Sequence, residues 1–205
     1  LVIVFSVIAN LFAFYSLKWE KASNLEPARI LEELFVILLA LLFSFFVTNP
    51  AYGRNWNVLI PAIIAAVALL LAHRKRHHLD FNKYFIAGIL GSFFFALELV
   101  LSPLILDYYT PLSLYFIRGV GVFVISLILF RKELKLMDKK TNWMILLTGA
   151  IWVIYRIVVY YGYESLGVSF TTLMILLAPV MIYSFARIFL REKLNWKNIL
   201  ASVMI

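Results

Sequence analysis

No cysteine occurs in the 205 residues. That excludes a disulfide framework, a thiolate metal site and thiol chemistry. A glycine-rich phosphate loop, a nucleophile elbow, a His-Glu zinc helix and a DxxD diphosphate site are missing too, so an enzyme is not expected and no cofactor is implied. No basic segment precedes the apolar run that opens at Leu1, and no small-residue cleavage site follows it, so a cleavable signal is not expected there. Because apolar runs stand at both Leu1 and Ile205, the expectation is a chain lacking helices at both ends.

What is present is apolar. Hydrophobic residues make up 64% and aromatic residues 17%, and the mean hydropathy is +0.94. A soluble domain is about 45–50% apolar, and a chain of this length cannot hide the excess in one water-soluble core. The fold class is therefore an all-α polytopic membrane protein, with lipid as the solvent of its outer surface. Continuous runs favour helices over the alternating strands of a barrel.

A span needs roughly 17–25 residues. On that length the chain divides into Leu1–Leu17, Ile30–Val47, Val58–Ala72, Tyr84–Leu106, Leu112–Phe130, Trp143–Tyr163, Ser169–Leu190 and the start of another near Asn198. This predicts a bundle of seven to eight transmembrane helices. Turn signals separate them, among them Asn49-Pro50 with Gly53 and the polar stretch Glu164 to Ser169.

The net charge of +8 does not point to nucleic acid, because the basic residues alternate between loops. One set of loops carries Lys18, Lys21 and Arg29, then Arg74, Lys75, Arg76 and Lys83, then the cluster from Arg131 to Lys140, then Arg191, Lys193 and Lys197; the opposite set carries Arg54 alone. The first set, with the loops around 74–83, 131–142 and 191–197, is predicted to be cytoplasmic, in a plasma membrane. His73, His77 and His78 lie in the most basic loop and suit anionic lipid better than a metal.

The chain also aligns weakly with itself. Phe14-Tyr15 to Phe43 lies alongside Tyr160-Tyr161 to Phe189, placing Ser23 on Ser169 and Glu33 on Pro179, with Asn55-Trp56 near Asn195-Trp196. An odd number of spans separates the copies, so they are inverted in the membrane. Secondary transporters commonly place a midplane site between such repeats.

An aromatic run (Tyr160-Tyr161), a small-polar turn (Gly167-Val168-Ser169), a mid-helix proline (Pro179) and an exit glutamate (Glu192) follow one another in YYGYESLGVSFTTLMILLAPVMIYSFARIFLREKLNWKNILA. This stretch resembles the closing part of an EamA domain of the drug/metabolite transporter superfamily. TPLSLYFIRGVGVFVISLILF, with Pro111 and Arg118, is similar to the second helix of such a repeat, and GAIWVIYRIVVYYGY to the third. The resemblance implies a ten-helix protein of two inverted five-helix repeats. Residues 1–73 would then end the first repeat and 84–205 form the second, up to a truncated last helix. The first copy has Glu33 where the family places its proline, and the loop charges imply termini on the side opposite to the family's.

Ionisable side chains at bilayer depth cost about 2.5–3.5 kcal/mol each on insertion scales, so each needs a partner or a wet cavity. Glu98 shares a helical face with Gly88, Gly91, Ser92 and Ser102. Two readings of it are open: a ligand-site carboxylate whose burial allows proton coupling, or one half of an ion pair with Arg118 or Arg156. Arg118 stands beside Gly119 and Gly121, which permit close helix approach. Arg156 lies on a face with Gly149, Trp152, Tyr160 and Tyr163, where a guanidinium among aromatic rings suits an anionic head on an apolar body. Asn10 is expected to bond between helices, Glu32 and Glu33 to pair locally at the surface, and Arg187 to snorkel.

The expected function is secondary transport of a small organic metabolite by alternating access between two inverted repeats. A lipid-linked substrate flippase and a non-catalytic membrane subunit are the alternatives. Glu98, Arg118, Trp152, Arg156 and Tyr160 are the expected substrate-binding residues. The expected partners are a small-molecule metabolite and the lipid bilayer, with no nucleic acid and with a homodimer left open.

Overall fold

The computed structural model describes residues 1–19, 22–53, 56–57, 59–64, 67, 82–132 and 138–177, with side chains from residue 31 onward in the second segment. The helices are α1 (Val2–Trp19), α2 (Ala22–Phe43), α3 (Lys83–Leu101), the short α4 (Pro103–Leu106), α5 (Pro111–Phe130), α6 (Lys139–Leu166) and α7 (Val168–Leu176), with a 3₁₀ turn at Pro50–Tyr52. Residues 59–64 are also helical, and no strand occurs among the described residues. Set against the seven to eight spans expected, four described stretches are long and apolar enough to cross a membrane: Val2–Trp19, Lys83–Leu106, Pro111–Phe130 and Lys139–Leu166. Most of the seventh expected span and all of the eighth, with Pro179 and Arg187, lie outside the described residues, as do His73, His77 and His78.

Helix boundaries follow local chemistry. Asn82 opens α3 by accepting from the amides of Tyr84 and Phe85 at 3.0 and 2.8 Å. Thr110 caps α5, with Pro111 in its first turn, where no N–H is needed. Asp138 caps α6 by accepting from Thr141, whose hydroxyl and amide hold the Asp138 carboxyl below the usual carboxylate range. The fourth expected span is broken, since Pro103 has no N–H to offer the Leu99 carbonyl. The Ser102 amide contacts the Glu98 and Leu99 carbonyls at 3.1 and 3.3 Å instead, and Ser102 Oγ donates to the Glu98 carbonyl at 2.8 Å. The polar turn expected from Glu164 to Ser169 shrinks to one residue between α6 and α7. That residue is Gly167, at φ +82, a left-handed value, and a Cβ there would stand 3.1 Å from the Ala51 carbonyl oxygen.

α1 and α3 run antiparallel in extensive contact. Their backbones close on Gly91, where a Cβ would lie 3.2 Å from the Ala13 nitrogen and 3.3 Å from the Ala9 oxygen. Phe94 packs on Phe5 and Phe12, each at 6.0 Å between centroids. Near the C-terminal end of α1, Ser16 donates to the Tyr84 carbonyl at 2.7 Å, and Trp19 stacks on Tyr84. Lys18 and Lys83 lie over these rings at 5.3 and 5.1 Å, an aromatic and basic belt suited to a membrane interface.

The opposite half of the bundle is filled by an apolar core that includes Val36, Ala40, Tyr52, Leu99, Val100 and Val159. The Tyr52 hydroxyl donates to the Val100 carbonyl, and Asn49 Nδ2 donates to Asp107 at 2.9 Å, tying the loops at that end together. Much of the outer surface of α5 and of the N-terminal half of α6 is exposed and apolar, as in Phe123, Ile128, Trp143 and Leu146, a surface that matches lipid.

The Gly91 contact is made by backbone atoms, which have nowhere to turn. Gly91→Val is expected to destabilise the protein by about 1–3 kcal/mol. Gly119→Ala, where a Cβ meets nothing within 4 Å, should leave stability unchanged or raise it. Melting temperatures of the two variants in detergent check the contrast.

Candidate functional site

A cavity of about 480 Å³ lies between α1, α2, α3, α5 and α6. It occupies the half of the bundle that holds the C-terminal half of α1 and the N-terminal half of α3, and the apolar core fills the other half. Its lining combines Asn10 and Ser92 with Phe95, Tyr115 and Trp152, and with the ionisable Glu32, Arg118 and Arg156. Its size suits a small organic molecule.

The structure divides the expected site residues. Arg118, Trp152 and Arg156 line the cavity. Glu98 and Tyr160 stand behind the wall, each with 0% of its surface accessible. Arg118 Nη2 donates to Glu98 Oε2 at 3.0 Å, and Arg118 Nε lies 3.0 Å from Oε1. The Tyr160 hydroxyl donates to Glu98 Oε1 at 2.6 Å, and Arg118 Nε donates to Ser6 Oγ at 2.8 Å. Four helices thus meet at one carboxylate: α3 supplies Glu98, α5 Arg118, α6 Tyr160 and α1 Ser6. The geometry realises the ion-pair reading of Glu98, with Arg118 as its partner, and both carboxylate oxygens have donors. The guanidinium also lies 5.7 Å from the Tyr115 ring.

Arg156 is held differently. Its Nη2 is 3.6 Å from Glu32 Oε1, beyond hydrogen-bond range. Its guanidinium carbon lies 5.7 Å from the Phe95 ring and 5.9 Å from the Trp152 ring. Glu32 and Glu33 therefore do not sit at the surface. The Glu32 side chain is 19% exposed and faces α6, and Glu33 Oε2 is buried without a hydrogen-bond partner. The correction follows from α2 starting at Ala22, not near Ile30, so both glutamates sit well inside the helix. Asn10 is corrected as well: its amide donates to the Ser6 carbonyl of its own helix at 2.7 Å while lining the cavity.

Sequence reasoning missed Glu32, Phe95 and Tyr115 as lining residues and Ser6 as a partner of Arg118. A signal for α1 was available: Ser6, Asn10, Ala13 and Ser16 recur at spacings of three or four and mark a small, polar face in an apolar helix.

A model of the EamA-like transporter family matches residues 82–205, more than half of the chain. The chain belongs to this family. No curated protein and no solved structure gives a significant match. The EamA match covers α3 to α7, and so includes Glu98, Arg118, Trp152, Arg156 and Tyr160. With its apolar helices, the EamA protein is membrane-embedded. Glu32 and the α1 wall of the cavity lie outside the matched region.

Removing one partner of a buried ion pair strands the other charge, at about 3–5 kcal/mol. Glu98→Gln and Arg118→Met are each expected to destabilise the protein by that order. The double variant should cost clearly less than the sum of the two, as checked by a double-mutant cycle on unfolding in detergent.

Proposed function

We propose that the protein is a secondary carrier of a small organic metabolite, which binds in the cavity between α1, α2, α3, α5 and α6 and crosses the membrane by alternating access. One observation carries this reading. A cavity with two arginines and four aromatic residues on its wall lies in one half of the bundle, and the apolar core fills the other half. Alternating access requires a site reached from one side at a time, and a one-sided cavity in a transporter-family chain fits that need. Arg156 and Trp152 would contact the substrate directly. Arg118 would present its exposed edge to it, while Glu98 and Tyr160 would act as positioning residues that hold Arg118. The two-repeat, ten-helix organisation belongs to the same proposal, with residues 1–73 and 84–205 contributing to opposite repeats.

Ligand binding to the native state raises the melting temperature by mass action, by about 2.7 kcal/mol of stability at a hundredfold excess over Kd. The full-length protein in detergent should be stabilised by some members of a panel of amino acids, nucleosides, sugars and organic anions. In reconstituted vesicles the same compounds should exchange across the membrane. Both effects should disappear in Arg156→Gln while the fold survives. Stabilisation by lipid-linked sugars alone would favour a flippase instead.

The loops around 74–83, 131–142 and 191–197 are proposed to face the cytoplasm of a plasma-membrane protein. The cysteine-free chain permits a direct check. A single cysteine at Lys75 or Lys135 should resist an impermeant thiol reagent in intact cells and react after permeabilisation, whereas one at Arg54 should react in both.

A further inference from the structure

The two cavity arginines differ in how firmly they are committed. Arg118 donates to Glu98 and to Ser6 at 3.0 and 2.8 Å, so part of its donor set is already used. The Arg156 side chain is 7% exposed and pairs with Glu32 at 3.6 Å. That separation keeps most of the Coulomb attraction and forgoes the hydrogen bonds. A guanidinium offers five N–H donors in a planar fork, which matches a carboxylate with two parallel bonds. Glu32 reaches this fork from α2 without taking up that geometry. It neutralises the charge and leaves the fork's hydrogen-bonding capacity unused.

The surroundings define what else fits there. Phe95 and Trp152 lie 5.7 and 5.9 Å from the Arg156 guanidinium, and Tyr115 forms another aromatic part of the cavity wall. An occupant with its anionic end on Arg156 would therefore lay its body against rings. Each arginine has a glutamate as its salt-bridge partner, Arg118 with Glu98 and Arg156 with Glu32. With these carboxylates already close by, a singly charged anion that replaced Glu32 at Arg156 would add the least further negative charge.

We propose that the cavity takes a small monocarboxylate with an apolar or aromatic body, whose carboxylate docks on the Arg156 fork by displacing Glu32. Glu32 is then a resident competitor. It stands where the ligand's head group goes and keeps the cavity charge-balanced when no ligand is bound. The inference rests on the carrier reading and narrows it to a substrate class and an exchange of ion pairs.

The test uses full-length protein in detergent and matched pairs of acid and amide: butyrate and butyramide, benzoate and benzamide, phenylacetate and phenylacetamide. Binding is read by calorimetry. At least one acid should bind tenfold or more tighter than its amide, about 1.4 kcal/mol in binding free energy. The decisive variant is Glu32→Gln, because the proposal gives it an unusual sign. Removing the competitor should tighten acid binding by several-fold and leave the amide unchanged, whereas a merely structural Glu32 would weaken both. Arg156→Lys keeps the charge and loses the fork, so the acid preference should fall. If Glu32→Gln fails to fold, the acid-to-amide ratio of the unaltered protein and of Arg156→Lys decides. No acid bound better than its amide, or acid binding weakened in a folded Glu32→Gln, overturns the inference. Neutral or cationic compounds that cross reconstituted vesicles while the acids fail would overturn it and leave the carrier reading standing. If compounds of every charge neither bind nor cross, both are overturned.

Discussion

A carboxylate with no surface accessible to solvent has to be answered from within the bundle, and at Glu98 three other helices supply the answer. Arg118 brings the opposite charge, Tyr160 a hydroxyl and Ser6 a second acceptor for the guanidinium. In lipid, where a lone charge costs about 2.5–3.5 kcal/mol, this arrangement sets the rotation of α3, α5 and α6 about their own axes. Apolar helices in hydrocarbon slide and rotate at little cost, because lipid is as good a neighbour as leucine. The ion pair supplies the direction that apolar contact lacks. Once it is formed, the face of α6 that carries Tyr160 also turns Arg156 and Trp152 to the cavity, one and two turns earlier on the same side.

Around the same node the two arginines are held in different ways. Arg118 and Arg156 have identical chemistry and line the same cavity, yet one is anchored by short bonds and the other faces a carboxylate beyond bonding range. Both arginines stand on the wall of one cavity, and each has a glutamate as its salt-bridge partner. The aromatic rings fall mostly to the Arg156 side, and the serine and tyrosine hydroxyls to the Arg118 side.

Much of this was legible from composition and position. Arg118, Arg156 and Glu98 stand out as charges inside apolar runs, and Trp152 and Tyr160 follow Arg156's helical spacing, so these five could be named as candidates without coordinates; three of them line the cavity and two stand behind its wall. Which glutamate meets which arginine could not be read, because that depends on the direction and rotation of helices distant in sequence. Glu32 was misread for a local reason. Its neighbours Arg29 and Glu33 look like the mouth of a span, and only a helix that begins at Ala22 carries it nearly three turns inside. The break after Leu101 escaped as well: hydropathy counts Pro103 as one more apolar residue, whereas its effect comes from a missing N–H. At Gly167 the composition did announce a turn, but not one so tight that a single left-handed residue joins two helices.

The close approach at Gly91 bears on how such a bundle moves. Helices separated by side chains can shear, each side chain hopping to a new rotamer as the ridges pass. Where the backbone of one helix rests on the backbone of the other there is no rotamer to change, and sliding would have to lift the two apart. α1 and α3 are thus joined as one strut. The carrier cycle proposed above would therefore have to treat α1 and α3 as one unit, while α5 and α6 carry long outer faces that are exposed and apolar. One glycine thus decides that these two helices keep a fixed separation and register.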